Sequence, residues 1–217
     1  EILRGNPPLP RYKDTWDIDI LLKFLISLPD NKDLSLKLFS KKLATLLAIT
    51  APKRVSEIAR IDKKFMRVTQ QGITFYLPGL SKTQKDCKSC EVFYAIHEEN
   101  QKLCVIDCLT EYFERTKAFK NPDHSIDPLL RTIIRPHKGL TSNTVSNWIK
   151  DMMTLAGIDT TKFKAHLARG ASTSKAFRSG VSIDDVIKMA DWTNAGTFFK
   201  FYCRLEDGTN KFSRAVE

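Results

Sequence analysis

The hydrophobic pattern of this chain changes its period twice, and this change limits the possible fold more than any other feature. Early apolar residues such as Leu36, Phe39 and Leu43 recur at helical spacing. The next segments, KFMRV, GITFYLPGL and EVFYAI, are short, alternating and rich in β-branched or aromatic residues. The first two are separated by Gln70-Gln71-Gly72, which is typical of a hairpin turn. Helical spacing then resumes, so the sequence predicts an α+β fold, mostly helical, with a small antiparallel β-sheet packed beside a helical core.

Capping residues and prolines indicate where the first helices begin and end. Asp14 or Thr15 is suited to cap a helix that stops before Pro29. A second helix is expected from about Ser35 to a boundary at Pro52. The segment RVSEIARI then starts a short third helix.

Further helices are expected after the sheet. One covers residues 104–119, and another begins at Thr141 or Ser142 and stops at Gly157. Ser182 matches the first position of a capping box ahead of IDDVIKMA. The residues expected to face the core from the helix before Gly157 are Val145, Trp148, Ile149, Met152 and Leu155.

The chain divides into a central domain, residues 14–204, and two flanking stretches. Residues 1–13 are proline-rich, which indicates an extended arm or linker. For residues 205–217, docking on a neighbouring subunit and a frayed end are both open. Because the first residue is Glu1 and not Met, we expect the sequence to be a fragment. No apolar run approaches the roughly 18 residues that would span a bilayer, so no membrane partner is expected.

Basic residues are spread through the whole chain and give it a formal net charge of +10. A basic face on a folded domain is typical of proteins that bind nucleic acid, the usual polyanionic partner. A merely soluble basic protein is the alternative that charge alone leaves open.

The five cysteines leave two interpretations open. Cys87 and Cys90 form C-x2-C, and Cys104 and Cys108 form C-x3-C after a gap of 13 residues, which loosely resembles a structural zinc spacing. The second pair, however, lies on a helical apolar stripe, and buried free cysteines explain it more simply. An odd number of cysteines and the lack of a secretory signal favour a reducing interior compartment.

Two short motifs place an arginine three residues from a second functional group. His166 and Arg169 share a face of a helix at this spacing, and the small residues 170–172 follow at once. Arg54 and Glu57 have the same spacing, at which a carboxylate holds a guanidinium in a fixed orientation. Each motif alone is common on the surface of ordinary helices.

Taken in order, the motifs are an arginine at a helix start, a lysine in a β-hairpin, H-x-x-R, a tryptophan and a tyrosine. In this order of motifs the sequence resembles the tyrosine recombinase family. The sequence looks most like the branch carried by DIRS-type retrotransposons. The similarity runs through PPLPRY, TWDIDILLKFL, LSLKLFSKKLATLLAIT, LPGLSKT, LCVIDCL, AGIDTTKFKAH, RGAST and ADWTNAGTFFKFYCR. It covers nearly the whole chain. The separate N-terminal core-binding domain of the family is not found in this sequence.

The resemblance implies a catalytic role for six residues and a supporting role for Glu57 beside the first arginine. Trp192 stands where many members have a second histidine, and an indole N–H still donates to a phosphate oxygen. Lys85 competes with Lys82 for the role of the hairpin lysine, and only the register of the hairpin decides between them. The six implied catalytic residues are Arg54, Lys82, His166, Arg169, Trp192 and Tyr202.

The chemistry of the family explains why these residue types are needed. A tyrosine hydroxyl attacks a phosphodiester and forms a covalent 3′-phosphotyrosine, which keeps the energy of the bond for rejoining. Two arginines stabilise the charge on the non-bridging oxygens. His166 accepts the tyrosine proton or binds the phosphate, and the hairpin lysine protonates the leaving 5′ oxygen. No metal and no cofactor are expected.

The resemblance also implies double-stranded DNA as the partner and a homo-tetramer on DNA, with a monomer possible in its absence. The lysines expected to contact DNA phosphates are Lys53, Lys85, Lys138 and Lys164. Integration of a retrotransposon-type element, in the nucleus of a eukaryote, is the expected function. A catalytically silent DNA-binding module retained by a host is the alternative, and a topoisomerase-like relaxing enzyme is a third possibility.

Overall fold

The structure, a computed structural model, describes residues 16–77, 90–97 and 99–201. The predicted arm, residues 1–13, and the predicted tail, residues 205–217, lie outside the described residues. Within the described part, no helix is long and apolar enough to cross a membrane.

The order of elements confirms the predicted α+β class, with a small sheet between two helical parts. The first helix begins later than expected, because Asp17 and not Asp14 or Thr15 is its cap: the Asp17 carboxylate accepts from the Asp19 N–H at 2.9 Å. The helices are α1 (Ile18–Ser27), α2 (Leu36–Thr50), α3 (Val55–Ile58), α4 (Val105–Thr116), α5 (Ser142–Leu155), α6 (Ala168–Arg178), α7 (Ile183–Met189) and α8 (Ala195–Phe201), and the strands are β1 (Met66–Thr69), β2 (Gly72–Leu77) and β3 (Cys90–Ala95).

The three strands form one antiparallel sheet in the order β1-β2-β3, joined at the first turn where predicted. Gly72 is required there, since a Cβ atom would lie 2.1 Å from the Tyr94 carbonyl oxygen of the adjacent strand. The Tyr94 hydroxyl donates to the Leu47 carbonyl oxygen of α2 at 3.1 Å. The sheet is therefore attached to the helical core through a buried side chain.

The large core surrounds α2, whose residues Phe39 and Leu43 are fully buried as their spacing predicts. Val145, Ile149 and Met152 of α5 are also buried against it. The prediction for Leu155 is wrong, because this last residue of α5 is 57% exposed and Met153 faces the core instead. Which residue of the last turn is covered depends on the neighbouring elements, so periodicity alone gives the wrong residue.

Cys104 and Cys108 are both buried at the start of α4, as expected for a pair on the apolar stripe of a helix. Burial raises the pKa of the Cys108 thiol to about 11, so it is protonated at neutral pH. Cys87 lies outside the described residues, as does the side chain of Cys90.

A separate group of buried residues, the C-terminal cluster, forms where α7 and α8 meet. It consists of Val186, Ala190, Trp192 and Phe198. Phe177 of α6 packs on it edge-to-face, with 5.4 Å between its ring centroid and that of Phe198. This cluster holds Trp192 beside the large core without being part of it.

Candidate active site

Arg54 lies directly before α3 and is held by a buried carboxylate. One oxygen of Glu57 accepts from the Arg54 backbone N–H at 2.7 Å, and the other accepts from its guanidinium Nη1 at 2.9 Å. Glu57 is only 1% exposed, so its carboxylate is shielded from water, whereas the Arg54 side chain is 25% exposed. Such a charge-assisted pair restricts the guanidinium to one orientation, as the i, i+3 spacing predicts.

Arg169 is the second residue of α6 and is also buried. Its guanidinium Nη2 donates to the Ala190 carbonyl oxygen, and its Cζ lies 4.9 Å from the Trp192 ring centroid. Guanidinium groups at this distance from an indole face are attracted by the ring quadrupole. Arg169 and Trp192, two of the residues implied by the resemblance, are therefore in direct contact, although they come from different elements.

His166 lies in a short 3-10 turn, Ala165–Leu167, immediately before α6. The residue is exposed at the surface, but partial burial of its ring lowers its pKa below the ordinary 6.5, and the nearby charge of Lys164 lowers it further. The imidazole is therefore neutral at pH 7. A neutral imidazole has one nitrogen that accepts a proton or a hydrogen bond.

One cleft of about 340 Å³ brings these side chains together. Its lining includes the ionisable residues Lys53, Arg54, His166 and Arg169. Small residues, including Ala165, allow a ligand to approach the backbone closely. Because arginine is always charged, the two guanidinium groups give this cleft a positive charge that suits an anion such as a phosphate group.

The other described residues predicted to take part in catalysis or DNA binding are not found among those that line the cleft. Lys164 is exposed two residues before His166. Lys138 lines a second cavity of about 470 Å³, together with Arg60 and Asn121, and not the cleft. The residues Lys82, Lys85 and Tyr202 lie outside the described residues.

Lys53 is buried, with 5% exposure, and its Nζ forms an ion pair with the carboxylate of Asp191. Sequence reasoning missed Asp191, and no spacing signal was available, because 138 residues separate it from Lys53. Its neighbours in the chain are Ala190 and Trp192, both of which contact Arg169.

Comparison with known proteins gives a consistent set of matches. The profile of the phage integrase family matches residues 21–208. The structure is similar to XerA recombinase (TM-score 0.64, 18% identity, 99% of this chain and 67% of that chain). It is also similar to XerH site-specific recombinase bound to difH substrate in a pre-cleavage complex (TM-score 0.67, 13% identity, 95% of this chain and 53% of that chain). A third match is a lambda integrase (75-356) dimer bound to a COC' core site (TM-score 0.55, 14% identity, 94% of this chain and 65% of that chain).

The sequence search among curated proteins gave no match. The structural matches agree with the predicted fold class, a helical domain with a small antiparallel sheet at its side. The chain spans about half of the XerH chain, so the matched proteins contain parts that have no counterpart in this sequence.

Proposed function

Since the chain belongs to the phage integrase family of tyrosine recombinases, we propose that it is a site-specific DNA recombinase that acts through a covalent 3′-phosphotyrosine intermediate. The observation that carries the proposal is the convergence of Arg54, His166 and Arg169 on one cleft. Glu57 forms an ion pair with Arg54, and the Trp192 ring lies against the guanidinium of Arg169. These residues come from three separate parts of the chain. An ordinary surface salt bridge or an isolated surface histidine would not bring them together.

Each group has a defined part in the proposed reaction. The Tyr202 oxygen attacks the scissile phosphorus, and a bond from phosphorus to the tyrosine forms as the bond to the 5′ oxygen breaks. Arg54 and Arg169 stabilise the charge on the non-bridging oxygens, and His166 accepts the tyrosine proton. Lys82, or Lys85 in its place, donates a proton to the leaving 5′ oxygen.

Rejoining reverses these steps, because a 5′ hydroxyl attacks the phosphotyrosine and releases the tyrosine. The charge that a metal ion supplies in some enzymes is supplied here by the two arginines, so we propose a reaction without metal or cofactor. Trp192, whose ring lies against the Arg169 guanidinium, is proposed to donate its indole N–H to the phosphate in place of the family's second histidine.

The proposed substrate is double-stranded DNA, bound as a homo-tetramer. The net charge of +10 suits a polyanion, and Lys138, Lys164 and Lys85 are the proposed phosphate contacts. Two of the matched structures are a XerH complex with difH and a lambda integrase tetramer bound to a Holliday junction. On the resemblance to DIRS-type recombinases, we propose that the element integrated is of the retrotransposon type and that the protein acts in the nucleus.

The proposal is tested with suicide DNA substrates that carry a nick near the cleavage site, so that the covalent adduct accumulates. The wild-type protein is expected to form an adduct that resists denaturing gel electrophoresis. Tyr202→Phe should form none, whereas Tyr76→Phe, which removes a hydroxyl from β2, should behave as the wild type.

Other outcomes of this assay identify a different function. An adduct that forms equally with Tyr202→Phe contradicts the proposed nucleophile. Salt-dependent DNA binding without any adduct supports instead a DNA-binding module retained by a host. Relaxation of supercoiled DNA by monomers, without synapsis, supports a topoisomerase-like enzyme.

A further inference from the structure

Lys53 and Asp191 connect the segment before α3 to the turn after α7. Lys53 immediately precedes Arg54 in the chain, and Asp191 immediately precedes Trp192. The Lys53 ammonium is paired with the Asp191 carboxylate, and their side chains are 4% and 24% exposed. The contact therefore ties the segment that carries the first arginine to the turn that carries the tryptophan.

The turn at Asp191 is held from two sides. The Ala190 carbonyl oxygen accepts from Arg169, and the Asp191 carboxylate is paired with Lys53. Trp192, the next residue, lies with its ring against the Arg169 guanidinium. A shift of this turn would displace the indole and, through it, the second arginine.

The backbone of Asp191 is in the left-handed region, with φ at 49°. Glycine adopts this conformation without strain, whereas an aspartate is tolerated there at some cost. An aspartate is thus not the residue that the turn conformation alone favours. Its carboxylate offers what a glycine lacks, a charge that meets the buried Lys53 ammonium.

The burial of Lys53 restricts the partners that its ammonium group can reach. A lysine ammonium removed from water needs an opposite charge, and here Asp191 provides it. A lysine that binds DNA in the usual way reaches a phosphate from an exposed position, as Lys164 is placed to do. Although Lys53 borders the cleft, its 5% exposure and its ion pair with Asp191 indicate an internal role.

We propose that Lys53 and Asp191 are positioning residues of the recombinase site: their ion pair fixes the Trp192 turn, and with it Arg169, relative to Arg54. This inference rests on the proposed function, and it assigns to Lys53 a role through Asp191 in place of a direct contact with DNA. Removing the pair should lower the rate of strand cleavage and leave DNA affinity unchanged.

The first test compares Lys53→Met, Asp191→Asn and the double variant on a suicide substrate at saturating DNA. Each single variant should lose about 10- to 100-fold in cleavage rate, since displacements of about 1 Å have effects of this size. The double variant should lose no more than the worse single variant, because both act on one interaction. Losses that multiply in the double variant would overturn the proposal.

Asp191→Gly separates the ion pair from the backbone conformation. Glycine relieves the positive φ but provides no carboxylate, so this variant should be as slow as Asp191→Asn. Wild-type cleavage by Asp191→Gly would overturn the proposal. Asp191 is partly exposed, so these two variants remain informative even if Lys53→Met does not fold.

DNA binding distinguishes positioning from direct contact. Lys53→Met should keep the dissociation constant within about twofold and keep its dependence on salt. A phosphate contact predicts instead that the slope of log affinity against log salt falls by about one unit, which would contradict the proposal. Lys41→Met and Asp151→Asn break an ion pair of 2.6 Å between α2 and α5, away from the cleft, and should leave cleavage unchanged.

The indole N–H signals of the free protein provide a test that needs no activity. In ¹H–¹⁵N spectra, the signal of Trp192 should shift in Lys53→Met and in Asp191→Asn, whereas those of Trp16 and Trp148 should not. An unmoved Trp192 signal in both variants would overturn the proposal. If the wild-type protein forms no adduct but the Trp192 signal shifts as expected, the proposed function fails and the positioning role remains.

Discussion

The two buried regions that hold this site differ in size and in how they are built. The large core surrounds α2 and includes helices from both ends of the chain together with the sheet. The C-terminal cluster consists of Val186, Ala190, Trp192 and Phe198, with a few partly buried neighbours. Arg54 and Arg169 are attached to elements of the large core, whereas Trp192 belongs to the C-terminal cluster.

The size of each buried region determines how firmly it holds its part of the site. A large apolar core fixes its elements through many contacts, so the loss of a single polar contact scarcely moves them. A small cluster buries little apolar area, and its position depends more on individual polar links. The link between Arg169 and Ala190 and the Lys53–Asp191 pair are such links. We therefore expect the Trp192 turn, and the Arg169 side chain that it contacts, to be displaced more readily than Arg54.

The largest effect is expected from a truncation in the large core. Phe39→Ala removes a fully buried ring from α2 and should lower the free energy of unfolding by about 3–5 kcal/mol, measured by urea denaturation. Phe65→Ala, at a residue that is 47% exposed, is the matched control and should change stability by less than about 0.5 kcal/mol. Similar losses for the two variants would show that the large core does not dominate stability.

A truncation in the C-terminal cluster should act locally. Phe198→Ala removes a fully buried ring and should destabilise the cluster by about 2–4 kcal/mol. In hydrogen exchange, amides of residues 183–201 should exchange more than about tenfold faster while those of α2 stay protected. Equal acceleration in both regions would mean that they unfold as one unit, and the comparison would fail.

The carboxylate that orients the first arginine should have an intermediate effect. Glu57→Gln leaves one of the two Arg54 donors facing an amide NH₂ group, which should cost about 1–3 kcal/mol. The control is Glu111→Gln, which removes a more exposed partner of Arg115 at 4.0 Å and should cost less than about 0.5 kcal/mol. Chemical denaturation of the two variants side by side measures the difference, and an equal cost would contradict the role of Glu57.

The smallest effect is expected from the ionisation of His166. Its pKa is lowered in the folded protein, so the unfolded chain binds a proton more readily at pH values just below 6.5. Stability should therefore fall slightly as the pH drops from about 6.5 towards the folded pKa. This slope should disappear in His166→Gln.

An NMR titration measures the same shift directly. The His166 ring should titrate below 6.5, and Lys164→Met should raise its pKa only in part, since burial is the larger cause. A midpoint at or above 6.5 in the wild type would contradict the neutral imidazole on which the proposed proton transfer depends.

Local patterns predicted much of the fold and part of the site. Helical spacing identified Phe39 as a core residue, and the i, i+3 spacing identified the Arg54–Glu57 pair. These predictions succeed because both partners lie on one element, whose geometry the local sequence sets. The hairpin turn at Gly72 was predictable for the same reason.

Contacts between distant elements were not predictable in this way. The Lys53–Asp191 pair and the bond from Arg169 to the Ala190 carbonyl depend on how α6 and α7 pack against the segment before α3. No periodicity in one sequence carries that information. Lysine on a basic domain suggested a DNA contact for Lys53, and only its burial in the structure points to an internal role.

The proposed reaction is tested most sharply by identifying the residue that becomes linked to DNA. After reaction with a nicked substrate, digestion with nuclease and protease leaves a peptide that carries a nucleotide, and mass spectrometry locates the modified side chain. We expect a 3′-phosphate linked to Tyr202, and we expect the modified peptide to be lost in Arg169→Ala. A nucleotide on any other residue, or a 5′-phosphate linkage, would contradict the proposed reaction.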